Sequence, residues 1–245
     1  MATAGNGTHA VDGGAFPVTT VLGAERGVAD YAGRTHVGVV RSDNQDAWWT
    51  GGDGRLFVVA DGMGGLRHGR WASDQLVREV AGVSLASDVH HMCSALEAAV
   101  RRGNWTIYTQ ARHLGARIGT TLVAMAMIGP QALICWCGDS RLYISRSGRL
   151  YQLTRDHVTQ LDNGREALSR AVGVESQVRP EFKQITVQKG DRLLLCTDGV
   201  HHELSDEDLA ILLHAGDCSQ AAMAIERQVL ARGARDNLTM IVVDI

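Results

Sequence analysis

The sequence predicts an α+β fold in which two antiparallel sheets pack face to face. Three observations lead there. Blocks of short apolar runs alternate with pairs of segments whose apolar residues recur at helical spacing, so strand and helix do not alternate one for one. Neighbouring strand runs are separated by tight-turn signals, Gly51-Gly52-Asp53-Gly54, Gly129-Pro130 and Ser147-Gly148, which join antiparallel partners. The strands also outnumber what one sheet of ordinary width holds, which calls for a second layer. No internal repeat or long linker divides the 245 residues. Residues 25–245 are therefore expected to form one domain behind a flexible N-terminal extension, residues 1–24, rich in Gly, Ala and Thr and with room for one short strand.

Taken in order, residues 35–41 (THVGVVR) and 46–50 (DAWWT) read as strands joined by the polar turn Ser42-Asp43-Asn44-Gln45. Residues 56–60 (LFVVA) form a continuous apolar run with a β-branched centre, short enough for a strand buried on both faces. That run is expected to end at Asp61, before Gly62-Met63-Gly64-Gly65. Helical spacing follows over residues 68–85, through Trp71, Leu76, Val80 and Val83. It recurs over 91–115, through Leu96, Val100, Ile107 and Leu114. Strands return at 120–128, 132–136, 141–145 and 150–153. In the polar segment 154–180 a short helix is expected over 165–171, and strands at 182–187 and 192–196 flank the turn Lys189-Gly190-Asp191. Ser205-Asp206-Glu207-Asp208 is a capping box that opens a helix through Leu209, Leu212 and Leu213. Ser219 is expected to cap the next helix, which ends near Ala231, and residues 238–243 form the last strand.

Composition narrows the function. With 45% hydrophobic residues, 21% charged and a net charge of -3, the chain can bury an ample core and has no bias toward nucleic acid or an anionic membrane. The five cysteines follow no framework spacing. Cys135 and Cys137 should share one face of a strand, and two cysteines make a poor zinc site, so reduced thiols in a cytoplasmic protein are expected. There is no basic n-region with an apolar core and no apolar run long enough to span a bilayer, so the expectation is a soluble, monomeric protein without a membrane span.

The chemistry-bearing pattern is a set of aspartates at strand ends. Asp61 follows a buried run and precedes glycines, which let a ligand approach the backbone and leave carbonyl oxygens bare. A carboxylate there is costly unless something pairs with it. Asp46, Asp139 (in Gly138-Asp139-Ser140-Arg141), Asp198 (before Gly199) and Asp236 (before Asn237) occupy the same kind of place. If these ends converge, the carboxylates repel one another unless cations lie between them, and oxygen-only ligands point to Mg²⁺ or Mn²⁺. A nucleotide-binding glycine loop fits poorly, because Arg67 falls where the third glycine of G-x-G-x-x-G belongs.

The ordered set R-S-D-N-Q-D, V-V-A-D-G-M-G-G, G-T-T, G-D-S-R, L-T-R-D-H, C-T-D-G and D-N-L-T resembles the metal-dependent protein phosphatase family, the type 2C serine/threonine phosphatases, and most closely the bacterial stand-alone branch. The likeness runs over residues 31–245. It implies a four-layer α-β-β-α sandwich, with helices on both outer faces of the two sheets. It also implies hydrolysis of phosphoserine and phosphothreonine by direct attack of a metal-bridging water. By the same resemblance, Asp61 bridges two Mn²⁺ or Mg²⁺ ions, with the Gly62 carbonyl completing one site. Asp198 and Asp236 hold the second ion, Asp139 with Asp198 a weaker third, and Arg41 grips the phosphate. Asp46 supports metal-bound water, and Asn237 is a structural neighbour. The implied partners are phosphoproteins made by a cognate serine/threonine kinase. The alternative is a catalytically weak phosphatase fold used as a binding or sensing module. Three departures stand out: Gln45 where many members carry Glu, Met63 where eukaryotic members carry a histidine general acid, and a short flap over residues 157–173. His201-His202 is expected to be an exposed loop pair.

Overall fold

A computed structural model describes residues 19–21, 29–65, 68–161, 164 and 166–245. The first strands are β1 (Thr19–Val21), β2 (Asp30–His36), β3 (Asp46–Gly51) and β4 (Leu56–Met63). Helices α1 (His68–Ala81) and α2 (Val89–Leu114) follow. Then come β5 (Gly119–Thr120), β6 (Leu122–Ile128), β7 (Gln131–Cys137), β8 (Arg141–Arg146) and β9 (Arg149–Gln152). A small hairpin of β10 (Val158–Gln160) and β11 (Glu166–Leu168) precedes β12 (Glu181–Thr186) and β13 (Arg192–Cys196). Helices α3 (Asp198–His201), α4 (Asp206–Leu212) and α5 (Cys218–Ala231) lead to β14 (Leu238–Asp244).

The strands form two main antiparallel sheets, ordered β1-β2-β14-β13-β8-β9 and β12-β7-β6-β4-β3, with β5 added to the end of β4. Side chains alternate along each strand, and the alternation sorts them into three cores. Phe57 and Val59 of β4 meet Leu193, Leu195 and Ile241 between the sheets. Leu56, Val58 and Ala60 face the other way, onto Leu76 and Val80 of α1 and Leu96 and Val100 of α2. On the far side, Leu194, Cys196, Met240 and Val242 pack on Leu209 of α4 and Ile225 and Val229 of α5. The result is the expected α-β-β-α sandwich. Each such side chain contributes about 1.5–3 kcal/mol by burial, and a one-residue slip of β4 would exchange its two faces, so both cores fix its register. Cys135 and Cys137 share the helix-facing side of β7, and all five cysteines are free thiols. Among the described residues no helix is long and apolar enough to cross a membrane.

Several expectations need correction. The strand placed at 35–41 ends at His36, and Val39 and Val40 are 66% and 68% exposed. Gly38 turns the chain out at φ +84, where a Cβ would strike the Asp236 carbonyl at 2.3 Å. β4 does not stop at Asp61; it runs on to Met63 because Gly62 and Met63 pair with Thr120 and Gly119. In place of the helix expected over 165–171, residues 166–168 form β11 of the β10–β11 hairpin, with Val158 opposite Leu168; residue 165 lies outside the described residues. Helix α1 ends at Ala81, four residues short of the expected end. The last helix is capped by Asp217, not Ser219: Asp217 Oδ1 accepts from Gln220 N–H at 2.8 Å and Gln220 returns the bond. The Ser205–Asp208 capping box is present as read. The expected short N-terminal strand is β1; the rest of residues 1–24 lies outside the described residues, and so does Arg67.

Candidate active site

At one end of the paired sheets a cleft of about 850 Å³ opens, lined by Arg41, Asp61, Gly62, Asp139, Asp198, Asp236 and Asn237 together with Thr121 and Leu168. Each aspartate reaches it from a different place in the fold. Asp61 comes from the end of β4, Asp139 from the β7–β8 turn, Asp198 from the start of α3 after β13, and Asp236 from the turn into β14. Asp46 is not a lining residue; it lies beneath, at the start of β3, directly opposite Asp61 in the strand register.

The backbone around these carboxylates is held by short polar side chains. Thr121 Oγ1 accepts from Asp61 N–H at 2.9 Å, and Thr121 N–H and Thr120 Oγ1 donate to the Asp61 carbonyl at 2.8 and 2.9 Å. Gly62 must be glycine for room: a Cβ would lie 2.0 Å from the Gly69 carbonyl of α1. Asn237 ties three segments together, accepting from Gln45 N–H at 2.8 Å and donating to the carbonyls of Val37 and Asp43 at 2.8 and 2.9 Å. Arg41 Nη2 donates to Asp236 Oδ2 at 2.6 Å, and Asp236 Oδ1 accepts from Asn237 N–H at 2.8 Å. Asp46 Oδ2 accepts from Thr197 Oγ1 at 2.9 Å.

Electrostatically the site is short of positive charge. Burial first, then the neighbouring charges of Asp46 and Asp198, hold the Asp61 carboxyl well above the usual carboxylate range. Burial also pushes Asp46 up to about 7, against the lowering effect of hydrogen bonds from Thr239 and Thr197. Asp139 is raised to about 6 by burial and by Asp198, and Asp198 is raised by burial. Asp46 Oδ1 and Asp198 Oδ1 are buried without a hydrogen-bond partner. Among the described residues no three His, Cys, Asp or Glu side chains form a ready-made ion-binding group; the carboxylates ring the cleft separately, and Asp236 is engaged by Arg41. The donors are carboxylate oxygens and a main-chain carbonyl, one of those oxygens is orphaned, and four carboxylates face the single counter-charge of Arg41. This set fits hard divalent cations such as Mg²⁺ or Mn²⁺ and not zinc.

Two histidines carry structural work that sequence reasoning missed. His201 is not on an exposed loop; it ends α3, and its Nε2–H donates to the Asp139 carbonyl at 3.0 Å. Burial, then the Arg141 charge, pushes it down to about 3, so it stays neutral. His202 is the exposed member, with Nδ1 3.4 Å from Asp198 Oδ2. His157 Nδ1 accepts from Gly138 N–H at 3.0 Å and its ring stacks on Trp136. Both clamp the turn that carries Asp139. His157 was visible as the last letter of L-T-R-D-H, whereas His201 stood out only as half of a histidine pair expected to be exposed.

Comparison with known proteins points to one family. The family model for protein phosphatase 2C matches residues 32–237. The serine/threonine protein phosphatase PstP of Mycobacterium tuberculosis is 32% identical over 89% of this chain, which spans only about half (45%) of that relative's length. The structure of the PstP catalytic domain in complex with two manganese ions superposes with a TM-score of 0.79 at 32% identity, over 89% of this chain and 98% of that one. The serine/threonine phosphatase stp of Listeria welshimeri is 30% identical over 86% of this chain and 94% of its own length. PppA of Pseudomonas aeruginosa, described as a key regulatory component of T6SS, gives a TM-score of 0.84 at 34% identity over 89% of this chain and 97% of that chain.

Proposed function

This chain belongs to the protein phosphatase 2C family, and we propose that it is a metal-dependent phosphatase of phosphoserine and phosphothreonine proteins. One observation carries the reading. Asp61, Asp139, Asp198 and Asp236 converge from separate elements on one cleft, where Arg41 is the sole cationic lining side chain among the described residues. A surplus of buried negative charge facing a single arginine is a poor way to stabilise a fold and a good way to hold cations against a phosphate dianion.

In this reading Asp61, the Gly62 carbonyl, Asp198 and Asp236 would hold two Mn²⁺ or Mg²⁺ ions. Asp139 with Asp198 offers a third, weaker position. When bound, the ions neutralise phosphoryl charge and generate the nucleophile from water at neutral pH. The remaining work belongs to the chain. Arg41, whose side chain is 56% exposed, is free to turn its planar fork from Asp236 to two phosphoryl oxygens and so orient the ester. Asp46, anchored by Thr197, sits behind Asp61 and acts on the site through that carboxylate. Asn237 keeps the Arg41 loop and the Asp236 turn in register. Met63 has no proton to give, so the leaving alkoxide is protonated from solvent within the cleft. The substrates are expected to be products of a cognate serine/threonine kinase, and the enzyme to act as a cytoplasmic monomer in signalling. A catalytically weak binding module is the poorer reading, because such a module has no use for the full set of carboxylates.

The test is turnover of p-nitrophenyl phosphate with Mn²⁺, with and without EDTA, by wild type, Asp198→Ala and Asp236→Ala. Chelation should abolish turnover, Mn²⁺ should restore it, and each variant should lose on the order of 100-fold or more while keeping its far-UV circular dichroism. Wild-type turnover indifferent to EDTA, or variants within about threefold of wild type at saturating Mn²⁺, would refute the assignment.

A further inference from the structure

A second hollow of about 630 Å³ opens directly off the catalytic cleft, sharing Met63 and Leu168 with it. Its charge is of the opposite kind. Arg117, Arg170 and Arg179 line it, with Glu175 the acidic member. Arg170 is spent on Glu181, to which its Nη1 donates at 3.1 Å. Arg117 and Arg179 are exposed, and neither side chain makes an ion pair or hydrogen bond among the described residues. The hollow runs on through Arg117, Val174 and Glu175 into another of similar size that adds Arg112. The Arg117 main chain borders the cleft itself: a Cβ at Gly64 would lie 3.4 Å from Arg117 O.

We infer that this trough receives the segment of a phosphoprotein substrate on one side of the phosphorylated residue, and that it selects acidic side chains there. The inference rests on the phosphatase reading and adds the substrate class. An extended chain advances about 3.3 Å per residue, so a peptide whose phosphate sits in the cleft brings its next few side chains over Arg117 and Arg179. The cleft's own carboxylates turn acidic side chains away from its mouth, and the two unpaired guanidinium groups receive them. From the β10–β11 hairpin, Ala167 and Leu168 of β11 line the hollow, and Leu168 stands at its junction with the cleft.

Phosphothreonine peptides with three acidic residues before the phosphothreonine, three after it, or neutral flanks separate the possibilities. They are compared by kcat/KM with Mn²⁺, and by fluorescence anisotropy of their labelled unphosphorylated counterparts with Mn²⁺, where no turnover intrudes. One of the two acidic peptides should exceed the neutral one by about three- to tenfold in both readouts, as expected for two exposed charge pairs. The advantage should shrink toward unity in high salt. Arg117→Glu with Arg179→Glu should reverse it while p-nitrophenyl phosphate turnover and the melting temperature stay at wild-type values. Normal p-nitrophenyl phosphate turnover without any flank preference, or a preference unchanged in the double variant, would overturn the trough and leave the phosphatase reading standing. A flank preference in anisotropy from a protein that does not turn over p-nitrophenyl phosphate would support the trough and sink the enzyme.

Discussion

Asp46→Asn should stabilise the metal-free protein at alkaline pH, and the size of the effect follows from where Asp46 sits. Its carboxyl is buried, faces Asp61 across the β3–β4 ladder, and is raised from the ordinary 3.8 to about 7. An acid whose folded pKa is raised binds more protons folded than unfolded, so stability is highest below about pH 4 and falls as pH climbs toward 7. A rise of about three pH units at about 1.4 kcal/mol each gives a loss of about 4 kcal/mol above pH 7. Asparagine removes that charge. Its amide oxygen can still accept from Thr197, but its NH₂ then occupies the place of Oδ1, which has no partner, at a cost of about 1–3 kcal/mol. The charge term wins, leaving a gain of about 1–3 kcal/mol at pH 8, or a Tm higher by roughly 2–12 °C for a domain of this size. At pH 5 wild-type Asp46 is already protonated and the advantage should vanish. Thermal melts in EDTA at pH 5 and pH 8 measure both. A variant that melts below wild type at pH 8, or a Tm difference that does not change with pH, would refute the claim that Asp46 is held as a strained carboxylate.

Three other outcomes follow. Saturating Mn²⁺ should raise the wild-type Tm by about 5–10 °C over EDTA, from roughly 2.7 kcal/mol at a hundredfold excess over Kd, and Asp61→Asn should lose most of that rise; coincident wild-type melts would mean no shared ion site. Arg41→Ala should lower kcat/KM by about 2–4 kcal/mol in steady-state kinetics, with Arg41→Lys recovering only part because a point charge replaces a planar fork. Glu226→Ala should cost about 3–5 kcal/mol in urea unfolding, since it strands Arg34, whose Nε donates to Glu226 Oε2 at 2.6 Å inside the β2–α5 interface; a loss below about 1 kcal/mol would show that water reaches Arg34.

The parts of the fold legible in the sequence are those whose burial is dictated locally. Runs such as 56–60 and 193–196 are apolar at every position because both faces are covered, and the turns between them carry their own chemistry. What was not legible depends on distant partners. β4 runs through Asp61 only because Gly119 and Thr120, far along the chain, supply a strand to pair with. The chain leaves the first sheet after His36 because Gly38 meets the main chain of residues 234 and 236. Residues 165–171 contain good helix formers, yet Ser169 N–H donates to the His157 carbonyl at 2.8 Å and the segment folds back as a hairpin. The cleft residues were legible as motifs. Their arrangement was not, and Asp46 proved to lie behind the site while His201 proved to be a half-buried prop beneath it.

The arrangement also explains why threonines crowd this end of the molecule. Placing Asp46 opposite Asp61 sets like charges face to face in a ladder, the least favourable cross-strand pair. Moving either carboxylate out to solvent would relieve the repulsion, and moving Asp61 would take a carboxylate from the cleft. Thr121, Thr197 and Thr239 prevent that by local means. Thr121 fastens the Asp61 backbone, Thr197 donates to Asp46, and Thr239 N–H in turn donates to Thr197 Oγ1 at 3.0 Å, so the hydroxyl proton is directed at the carboxylate. A hydroxyl so committed favours the ionised form of Asp46 without supplying positive charge, and burial still outweighs it. The carboxylates are thus held in position while their charge remains uncompensated, and that residual repulsion is the driving force for taking up a cation.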